Sequence, residues 1–410
     1  MDKTLLILGF VWPEPKSSAA GSRMLQLIQL FLKANYKITF ATACAKSDQA
    51  FNLKSIGLET VSITLNDSGF DAFVKQLNPK IVLFDRFNIE EQFGWRVSEQ
   101  CPNAVKLLDT EDLHCLRKGR HAAFKKGEAF NDDYLYTELA KREIASILRS
   151  DCTLMISEYE IELLKNKFKL QESQLYYLPF LVEDSQINVT GLNTFEKRKN
   201  FITIGNFLHE PNWQAVLLLK HKIWPKIRLQ LPNAELHIYG AYVSQKATQL
   251  HQPKDGFYIK GFAENVNRLM EEYRVCLSYL PFGAGLKGKI LDAMRNGLPC
   301  AMNPIATEGI FGHLHINGIC EEDINTFSDQ TVQLYSNKNA WEEAQKNGYK
   351  VLEERFKLAL FESAFIDSVE QLQQNLKKHR QEHFLGQILQ HHNLQSTKYM
   401  SKWIEAKNKL

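Results

Sequence analysis

The stretch Gly283-Ala284-Gly285-Leu286-Lys287-Gly288-Lys289 follows an apolar run at residues 275–280 and opens an amphipathic pattern that continues to residue 295. A buried strand, a glycine-rich turn and a helix in this order are typical of a doubly wound α/β domain. Glycines let backbone amides approach an anion, the helix N-terminus adds partial positive charge, and Lys287 and Lys289 add full charges. The stretch therefore predicts a diphosphate site, although a plain tight loop would show the same short glycine pattern.

Apolar runs alternate with helical patterns on both sides of this stretch, which predicts parallel sheets covered by helices. In the first half, the pattern predicts a helix at 24–32 and strands at 4–8, 37–41, 81–84 and 105–108. In the second half, it predicts helices at 213–229, 263–273 and 287–295, and strands at 201–204, 235–239, 257–259, 275–280 and 300–302. The predicted fold class is α/β, with two Rossmann-like doubly wound parallel-sheet domains.

The alternation stops at residues 186–200, where Gly191 and a charged cluster at 196–199 indicate a linker. We therefore predict an N-terminal domain at 1–185, a ligand-binding C-terminal domain at 201–376 and a polar helical tail at 377–410. His379 and His383 in the tail are spaced to bind a metal from one helix face. A solvated surface is the favoured interpretation, because no acidic or cysteine ligand accompanies them in the sequence.

The composition excludes several classes of protein. With 50 basic and 47 acidic residues the formal net charge is only +3, which argues against a nucleic-acid partner and favours a small ligand. The seven cysteines include no Cys-x-x-Cys pair, so neither a zinc knuckle nor a disulfide framework is expected and a reducing compartment is indicated. The first apolar run is too short for a signal peptide or a membrane span, so we expect a cytoplasmic protein.

Residues 283–299, followed by Asn303-Pro304-Ile305-Ala306-Thr307-Glu308-Gly309, resemble the donor-site signature of family 4 retaining glycosyltransferases, which have the GT-B fold. The resemblance implies two domains facing across a cleft and a nucleotide-sugar donor. It implies donor contacts from the turn, at Gly283, Gly285, Leu286 and Gly288. Asp292 takes the place of the family's ribose-binding acid, or is a helix-surface charge. Ala284 replaces the acid, eight positions earlier, that contacts the sugar in that family.

Two further segments extend the resemblance. Ile204-Gly205-Asn206-Phe207 resembles the first strand and turn of the nucleotide-binding half, which implies that Asn206 lies at the cleft. Relatives often carry an arginine and a lysine just after this strand, but His209-Glu210-Pro211 stands here, so Lys287 and Lys289 are expected to supply that charge. Gly21 lies where the family keeps a flexible cleft loop. Its backbone could contact a phosphate or the acceptor, or the segment is a plain strand-to-helix turn.

The segment after the strand predicted at 105–108 is the third part of the resemblance, because relatives often place a histidine there, near the reacting sugar. In this chain that position is Glu111, with His114 three residues on and with Asp109 and Asp112 nearby. Glu111 and His114 are therefore candidate catalytic residues that would bind hydroxyls of the donor sugar or the acceptor. Either could instead cap the helix that follows.

The reaction that the resemblance implies retains the anomeric configuration, with Lys287 and Lys289 stabilising the departing diphosphate. The chain contains no Asp-x-Asp sequence, so neither a bridging metal nor another cofactor is expected. The expected acceptor is a saccharide or a lipid-linked saccharide. A basic cluster in the N-terminal half would allow peripheral membrane contact, or is a solvated helix face; its members are Arg117, Lys118, Arg120, Lys125 and Lys126.

Three other functions stay open. The run from Gly283 to Lys289 fits the P-loop of a nucleotide triphosphatase except that Ile290 replaces the Ser or Thr that binds Mg²⁺. A catalytically degenerate sugar- or nucleotide-binding partner protein is consistent with Ala284, because a fold does not determine function. Sugar-nucleotide epimerases share the two-domain fold and are a smaller alternative.

Overall fold

The structure, a computed structural model, describes residues 3–187 and 193–409. These residues form two α/β domains, each built on a fully parallel sheet. The predicted fold class, two Rossmann-like domains, is confirmed. Gly191, which helped to predict the linker, lies outside the described residues, and the strand predicted at 201–204 begins two residues earlier, at Lys199.

The sheet of the N-terminal domain has, within residues 3–187, seven strands in the order β3-β2-β1-β4-β5-β6-β7. The strands are β1 (Thr4–Gly9), β2 (Lys37–Thr42), β3 (Glu59–Ser62), β4 (Ile81–Asp85), β5 (Val105–Asp109), β6 (Cys152–Met155) and β7 (Leu175–Tyr177). Alternate residues of β1 enter different cores, with Leu5 and Ile7 on one face and Leu6 and Leu8 on the other. Burial on both faces explains why the central strands are continuous apolar runs.

Helices cover both faces of this sheet. They are α1 (Ala19–Lys33), α2 (Gly69–Leu77), α3 (Phe87–Gln100), α4 (His114–Lys126), α5 (Glu138–Arg149) and α6 (Glu158–Phe168). The apolar stripe of α1, which includes Met24 and Ile28, packs on the face that contains Leu5 and Ile7. Helices α2 to α6 contribute to the opposite core.

The C-terminal domain has, within the described part of the chain, six strands in the order β10-β9-β8-β11-β12-β13. They are β8 (Lys199–Ile204), β9 (Leu236–Tyr239), β10 (Phe257–Gly261), β11 (Tyr273–Ser278), β12 (Cys300–Met302) and β13 (Gly318–Cys320). Its helices are α7 (Glu210–Leu218), α8 (Trp224–Gln230), α9 (Gln245–Thr248), α10 (Val266–Met270), α11 (Gly288–Arg295), α12 (Pro304–Thr307), α13 (Ile324–Ser336) and α14 (Lys338–Val351).

Two predicted helices of this domain differ from the structure. The helix predicted at 213–229 is longer, because α7, a π-helical segment at Leu219–Ile223 and α8 follow one another without a break. The helix predicted at 263–273 shortens to α10. The side chain of Asn265 caps its start by accepting from the Arg268 amide at 3.0 Å, and the chain enters β11 at Tyr273.

The last part of the chain returns to the N-terminal domain. The crossing is marked by backbone hydrogen bonds of Val182 with Phe356 and Leu358, at 2.7 and 2.8 Å. Beyond it lie α15 (Glu362–Gln374), α16 (Leu376–Glu382) and α17 (Phe384–Asn408). Phe365 of α15 is buried against Phe31 of α1, and α17 packs on α3 and α5. Residues 362–376 therefore belong to the N-terminal domain rather than to the predicted 201–376 unit, and 377–409 is docked on it rather than extended as a tail.

The histidine pair of this segment has a structural role. His379 Nε2 lies 2.7 Å from the carbonyl oxygen of Asp151, and His383 Nε2 lies 2.8 Å from Ser173 Oγ. The favoured interpretation of a solvated surface is wrong, because these contacts fix α16 to the N-terminal domain. Among the described helices, none combines the length and apolar character that crossing a bilayer requires.

Candidate functional site

The candidate site lies where the strand order of each sheet reverses. In the N-terminal sheet the reversal falls between β1 and β4, and in the C-terminal sheet between β8 and β11. Ligands of open α/β sheets bind in the crevice outside the carboxyl ends of the strands at such a point. The turn after β8 contains Asn206, and the loop at residues 279–287 joins β11 to α11. Both sequence motifs of the C-terminal domain therefore converge on one crevice.

The β11–α11 loop, residues 279–287, is fixed at its base by Asn303. The side chain of Asn303 accepts from the Leu280 amide at 3.0 Å and donates to the Leu280 carbonyl at 2.8 Å. Gly285 has φ of +63°, a left-handed conformation that glycine adopts without a steric cost. Phe282 stacks on His121 of α4 with ring centroids 4.4 Å apart. The loop therefore projects from its own domain and contacts the N-terminal domain.

Lys289 follows the first residue of α11, and its ammonium lies at the β8–β11 reversal. Its Nζ donates to Asn212 Oδ1 at 3.0 Å, and Asn212 in turn donates to the Asn206 carbonyl at 3.2 Å. Burial lowers the pKa of Lys289 to about 8, and among the described residues no carboxylate opposes this shift. A cation without a counter-charge at a helix N-terminus is an incomplete electrostatic arrangement that an anionic ligand completes.

Lys287 is the more deeply buried of the two lysines, with 7% of the residue exposed. Its Nζ donates to the Gly285 carbonyl at 2.8 Å, and Glu308 Oε2 lies 3.9 Å away. Both oxygens of Glu308 already accept from Arg120, at 2.7 and 2.6 Å. Burial lowers the pKa of Lys287 to about 8 against the opposing charge of Glu308. This lysine shapes the loop and adds positive charge beside Lys289.

Arg120 and Glu160 of the N-terminal domain bind the β11–α11 loop, although no sequence motif assigns either residue to the site. Arg120 donates to the Gly283 carbonyl at 2.8 Å, and Glu160 Oε1 accepts from the amides of Gly285 and Leu113 at 2.7 and 3.0 Å. Burial raises the pKa of Glu160 to about 8. No local pattern marks either residue, because their partners in this loop are more than a hundred residues away in the chain.

Two members of the predicted basic cluster are therefore not available to a membrane. Arg120 is buried in the interdomain contact, and Arg117 pairs with Asp112 with Nε 2.6 Å from Oδ2. Lys118, Lys125 and Lys126 are exposed on α4.

Glu111 lies at the carboxyl end of β5 among other charged groups. It has φ of +63°, an uncommon conformation for a residue other than glycine. Burial, followed by the charge of Asp109, raises its pKa well above the usual range, whereas Arg86 opposes the rise. Asp109 itself is fully paired, since it accepts from Arg23 Nη2 at 3.0 Å and from Arg23 Nε at 3.1 Å. Unlike Asp109, Glu111 forms no ion pair with Arg23.

His114 begins α4 and contacts its own domain. Its Nδ1 lies 3.3 Å from Glu143 Oε1 and 3.4 Å from Asp112 Oδ1, and its ring packs edge-on against Phe87. The same Glu143 accepts from the amides of His114 and Cys115, which are free at the start of the helix. The contacts of His114 are therefore with α3 and α5, and the structure does not join it to the lysines of α11.

Close packing explains why two positions of the site are glycine. A Cβ on Gly21 would lie 2.4 Å from the backbone of Glu14, and the Gly21 amide donates to Ser18 Oγ at 3.0 Å. The Ser18 side chain therefore caps the start of α1 and occupies the Gly21 amide. A Cβ on Gly288 would lie 3.1 Å from the Cβ of Ala19, so the N-termini of α1 and α11 meet across the cleft. A Cβ on Gly283 would make only ordinary van der Waals contacts, with Ile305 Cγ2 at 3.7 Å, so packing does not require glycine at this position.

The remaining candidates divide between core and cleft. Leu286 is a core residue with 7% exposure, so only its backbone can meet a ligand. Asn206 spans the cleft, with its Nδ2 3.5 Å from the Ser17 carbonyl. Asp292 is partly exposed and accepts from Arg295 at 3.1 Å, and burial raises its pKa. No cluster of three potential metal-binding side chains occurs in residues 3–187 and 193–409.

Comparisons with known proteins agree with the two-domain fold. Residues 198–337 match the family described as "Glycosyl transferases group 1". A comparison with curated protein sequences gives no significant match.

Among solved structures, the TarM G117R mutant of S. aureus, in complex with fondaparinux, alpha-GlcNAc-glycerol and UDP, has a TM-score of 0.68 at 11% identity. The alignment covers 90% of this chain and 99% of that one. Anabaena Alr3699/HepE with UDP-glucose has a TM-score of 0.68 at 10% identity and coverage of 90% and 100%. The pneumococcal O-GlcNAc transferase GtfA with UDP and GlcNAc has a TM-score of 0.65 at 14% identity and coverage of 90% and 99%. At these identities the likeness to the solved structures establishes the fold.

Proposed function

We propose that this chain, a group 1 glycosyltransferase of the GT-B fold, transfers a glycosyl group from a UDP-sugar to a saccharide acceptor with retention of anomeric configuration. The observation that carries the proposal is the ammonium of Lys289, which is partly buried at the N-terminus of α11 without a carboxylate partner among the described residues. A diphosphate supplies the missing negative charge at that point.

The leaving group sets the main chemical demand on the site. The bond between the anomeric carbon and the diphosphate breaks as the anomeric carbon bonds to an acceptor oxygen on the same face. The acceptor proton passes to an oxygen of the leaving phosphate. Preorganised positive charge from Lys287, Lys289 and the helix N-terminus stabilises the developing diphosphate. This positive charge takes the role that a divalent ion would have, so we propose that transfer needs no metal. We expect that adding EDTA leaves the rate of transfer unchanged.

UDP is the proposed nucleotide because the solved structures of TarM, HepE and GtfA each contain UDP or UDP-glucose according to their descriptions. Asp292, one helical turn beyond Gly288, is the proposed ribose contact, and its pairing with Arg295 leaves one carboxylate oxygen for the ribose hydroxyls. Glu111 is the proposed contact for a sugar or acceptor hydroxyl, since burial and the neighbouring Asp109 favour its protonated, donating form.

Ala284 supports a second candidate, a catalytically degenerate nucleotide-sugar-binding protein. In this chain Ala284 is partly buried and packs against the apolar core of the N-terminal domain. The family's contact to the transferred sugar is therefore replaced by an interdomain packing contact. Binding alone does not separate the two candidates, but turnover does.

The test combines binding with turnover. Calorimetric titration of the whole protein with UDP, GDP, ADP and CDP should give binding of UDP, which Lys289→Ala weakens and Asp292→Ala weakens less. UDP-sugars with a panel of saccharide acceptors should then release UDP, and NMR of the product should show the anomeric configuration of the donor. Binding without turnover would favour the degenerate protein. Absence of binding by all four nucleotides would contradict the donor site itself.

A further inference from the structure

Described side chains of helix α17 make several polar contacts with the N-terminal domain. Lys106 donates to Gln390 at 2.9 Å, Arg96 donates to Ser401 at 3.0 Å, and Ser68 Oγ donates to Glu405 at 2.7 Å. Gly386 sits so close to α5 that a Cβ there would lie 2.0 Å from the Leu148 carbonyl oxygen. A surface helix usually turns its apolar stripe inward and its polar residues outward. The described contacts of α17 show polar residues turned inward.

The outward face of α17 is rich in large apolar side chains. Between 41% and 64% of each of these residues is exposed: Phe384, Leu385, Ile388, Tyr399, Met400 and Trp403. Positions 385, 388, 399 and 403 fall within a narrow stripe at the 3.6-residue period of a helix. Soluble proteins seldom expose so many large apolar side chains on one element unless it binds something.

The charges on this face have one sign. The exposed described positions of α17 include Lys402 and Lys407 and no acidic residue. Glu405, the acidic residue of the helix, is turned inward to Ser68 and Lys409. Two copies of this face in contact would bring lysines together without a carboxylate to pair with them. The same face complements a negatively charged surface.

We infer that α17 lies on an anionic lipid bilayer with this outward face in the headgroup region. Trp403 and Tyr399 are of the types that favour the membrane interface, and Lys402 and Lys407 are placed to meet lipid phosphates. At 1.5 Å per residue, the helix extends about 37 Å along the surface without crossing it. The inference is independent of the proposed glycosyl transfer, because α17 shares no residue with the candidate site.

The experiment is flotation of the whole protein with vesicles of phosphatidylcholine containing phosphatidylglycerol, and with vesicles of phosphatidylcholine alone. Wild type should float with the anionic vesicles. The double variant Ile388→Gln and Trp403→Gln should partition about tenfold more weakly, because two apolar anchors are lost. The matched control is Leu229→Gln with Leu360→Gln, which removes two exposed leucines of other surfaces. The control should float like wild type. Lys402→Gln with Lys407→Gln should reduce binding most at low salt.

A second measurement keeps the inference testable if the double variant is poorly folded. Trp403→Phe preserves an apolar side chain, so this variant should still float but should lose the part of the tryptophan emission that brominated lipids quench in wild type. Wild type that fails to float with anionic vesicles would overturn the inference. So would flotation that Ile388→Gln with Trp403→Gln leaves unchanged, or a wild-type dimer that this variant converts to a monomer while neither protein binds vesicles.

Discussion

The two sides of the interdomain cleft differ in the partners of their cationic side chains. On the N-terminal side, Arg23 pairs with Asp109 and Arg117 with Asp112, and Arg120 reaches across to Glu308. On the C-terminal side, Lys289 has an amide partner and no carboxylate among the described residues. Paired buried cations hold the two domains in shape, whereas an unpaired one costs stability unless a ligand neutralises it. We propose that this difference separates cations that stabilise the fold from a cation that binds a ligand.

Breaking a paired cation should have the largest effect. Arg23 is 1% exposed and also donates to the carbonyls of Leu178 and Pro179 at 2.6 and 3.0 Å. Arg23→Leu leaves Asp109 buried without its partner, so we expect the free energy of unfolding to fall by about 3–5 kcal/mol. Urea unfolding measures the loss. Arg142→Leu, which breaks a largely exposed pair with Glu91, is the control and should cost less than about 1 kcal/mol. Equal losses would show that burial does not distinguish these pairs.

Removing the unpaired cation should change binding and not stability. Lys289→Ala should weaken UDP binding about tenfold to a hundredfold, because one charge-assisted contact is lost. Its unfolding midpoint should stay the same or rise, since a buried charge without a counter-charge is removed. Calorimetry and urea unfolding give the two values, with the exposed Lys222→Ala as control. A large loss of stability with unchanged UDP affinity would reverse the assignment of Lys289.

The pH dependence of UDP binding should sharpen the same comparison. Burial lowers the pKa of both Lys287 and Lys289 to about 8, so each is about half deprotonated at that pH. Bound diphosphate favours the protonated form, and UDP affinity should therefore fall as the pH rises, by about tenfold between pH 7 and 9. Lys289→Ala should show a smaller decline over this range. A wild-type affinity that stays constant to pH 9 would contradict the electrostatic role of both lysines.

Glu160 should give the smallest effect. Burial raises the pKa of Glu160 in the folded protein to about 8. The unfolded chain releases this proton near the ordinary pKa of a glutamate, so between these two pH values only the folded protein holds it. This contribution is present at low pH and is lost as the pH rises through about 8. We expect the free energy of unfolding of wild type to fall, relative to Glu160→Gln, by about 1 kcal/mol between pH 7 and 8. Parallel pH profiles for the two proteins would show that Glu160 is ionised throughout.

The sequence anticipated the C-terminal side of the cleft better than the N-terminal side. The turn from Gly283 to Lys289 is a contiguous motif, and its position between β11 and α11 follows from local periodicity alone. The hydrogen bonds of Arg120 and Glu160 with that turn could not be predicted, because a contact between residues that are distant in the chain leaves no periodic signal in the sequence. Arg120 even belonged to a cluster whose predicted partners were lipid or solvent. Its actual partner is Glu308, 188 residues away.

The sequence alone thus determined that the chain alternates buried strands with amphipathic helices. It also determined that a glycine- and lysine-rich turn precedes and opens α11. These properties depend on neighbours within a few residues, such as the apolar run of β11 and the glycines after it. Only the tertiary structure decided that Lys289 has no carboxylate partner among the described residues, and that α17 returns to the N-terminal domain with six large apolar residues exposed. Charge balance and docking depend on which distant groups share one low-dielectric space, and chain folding alone brings those groups together.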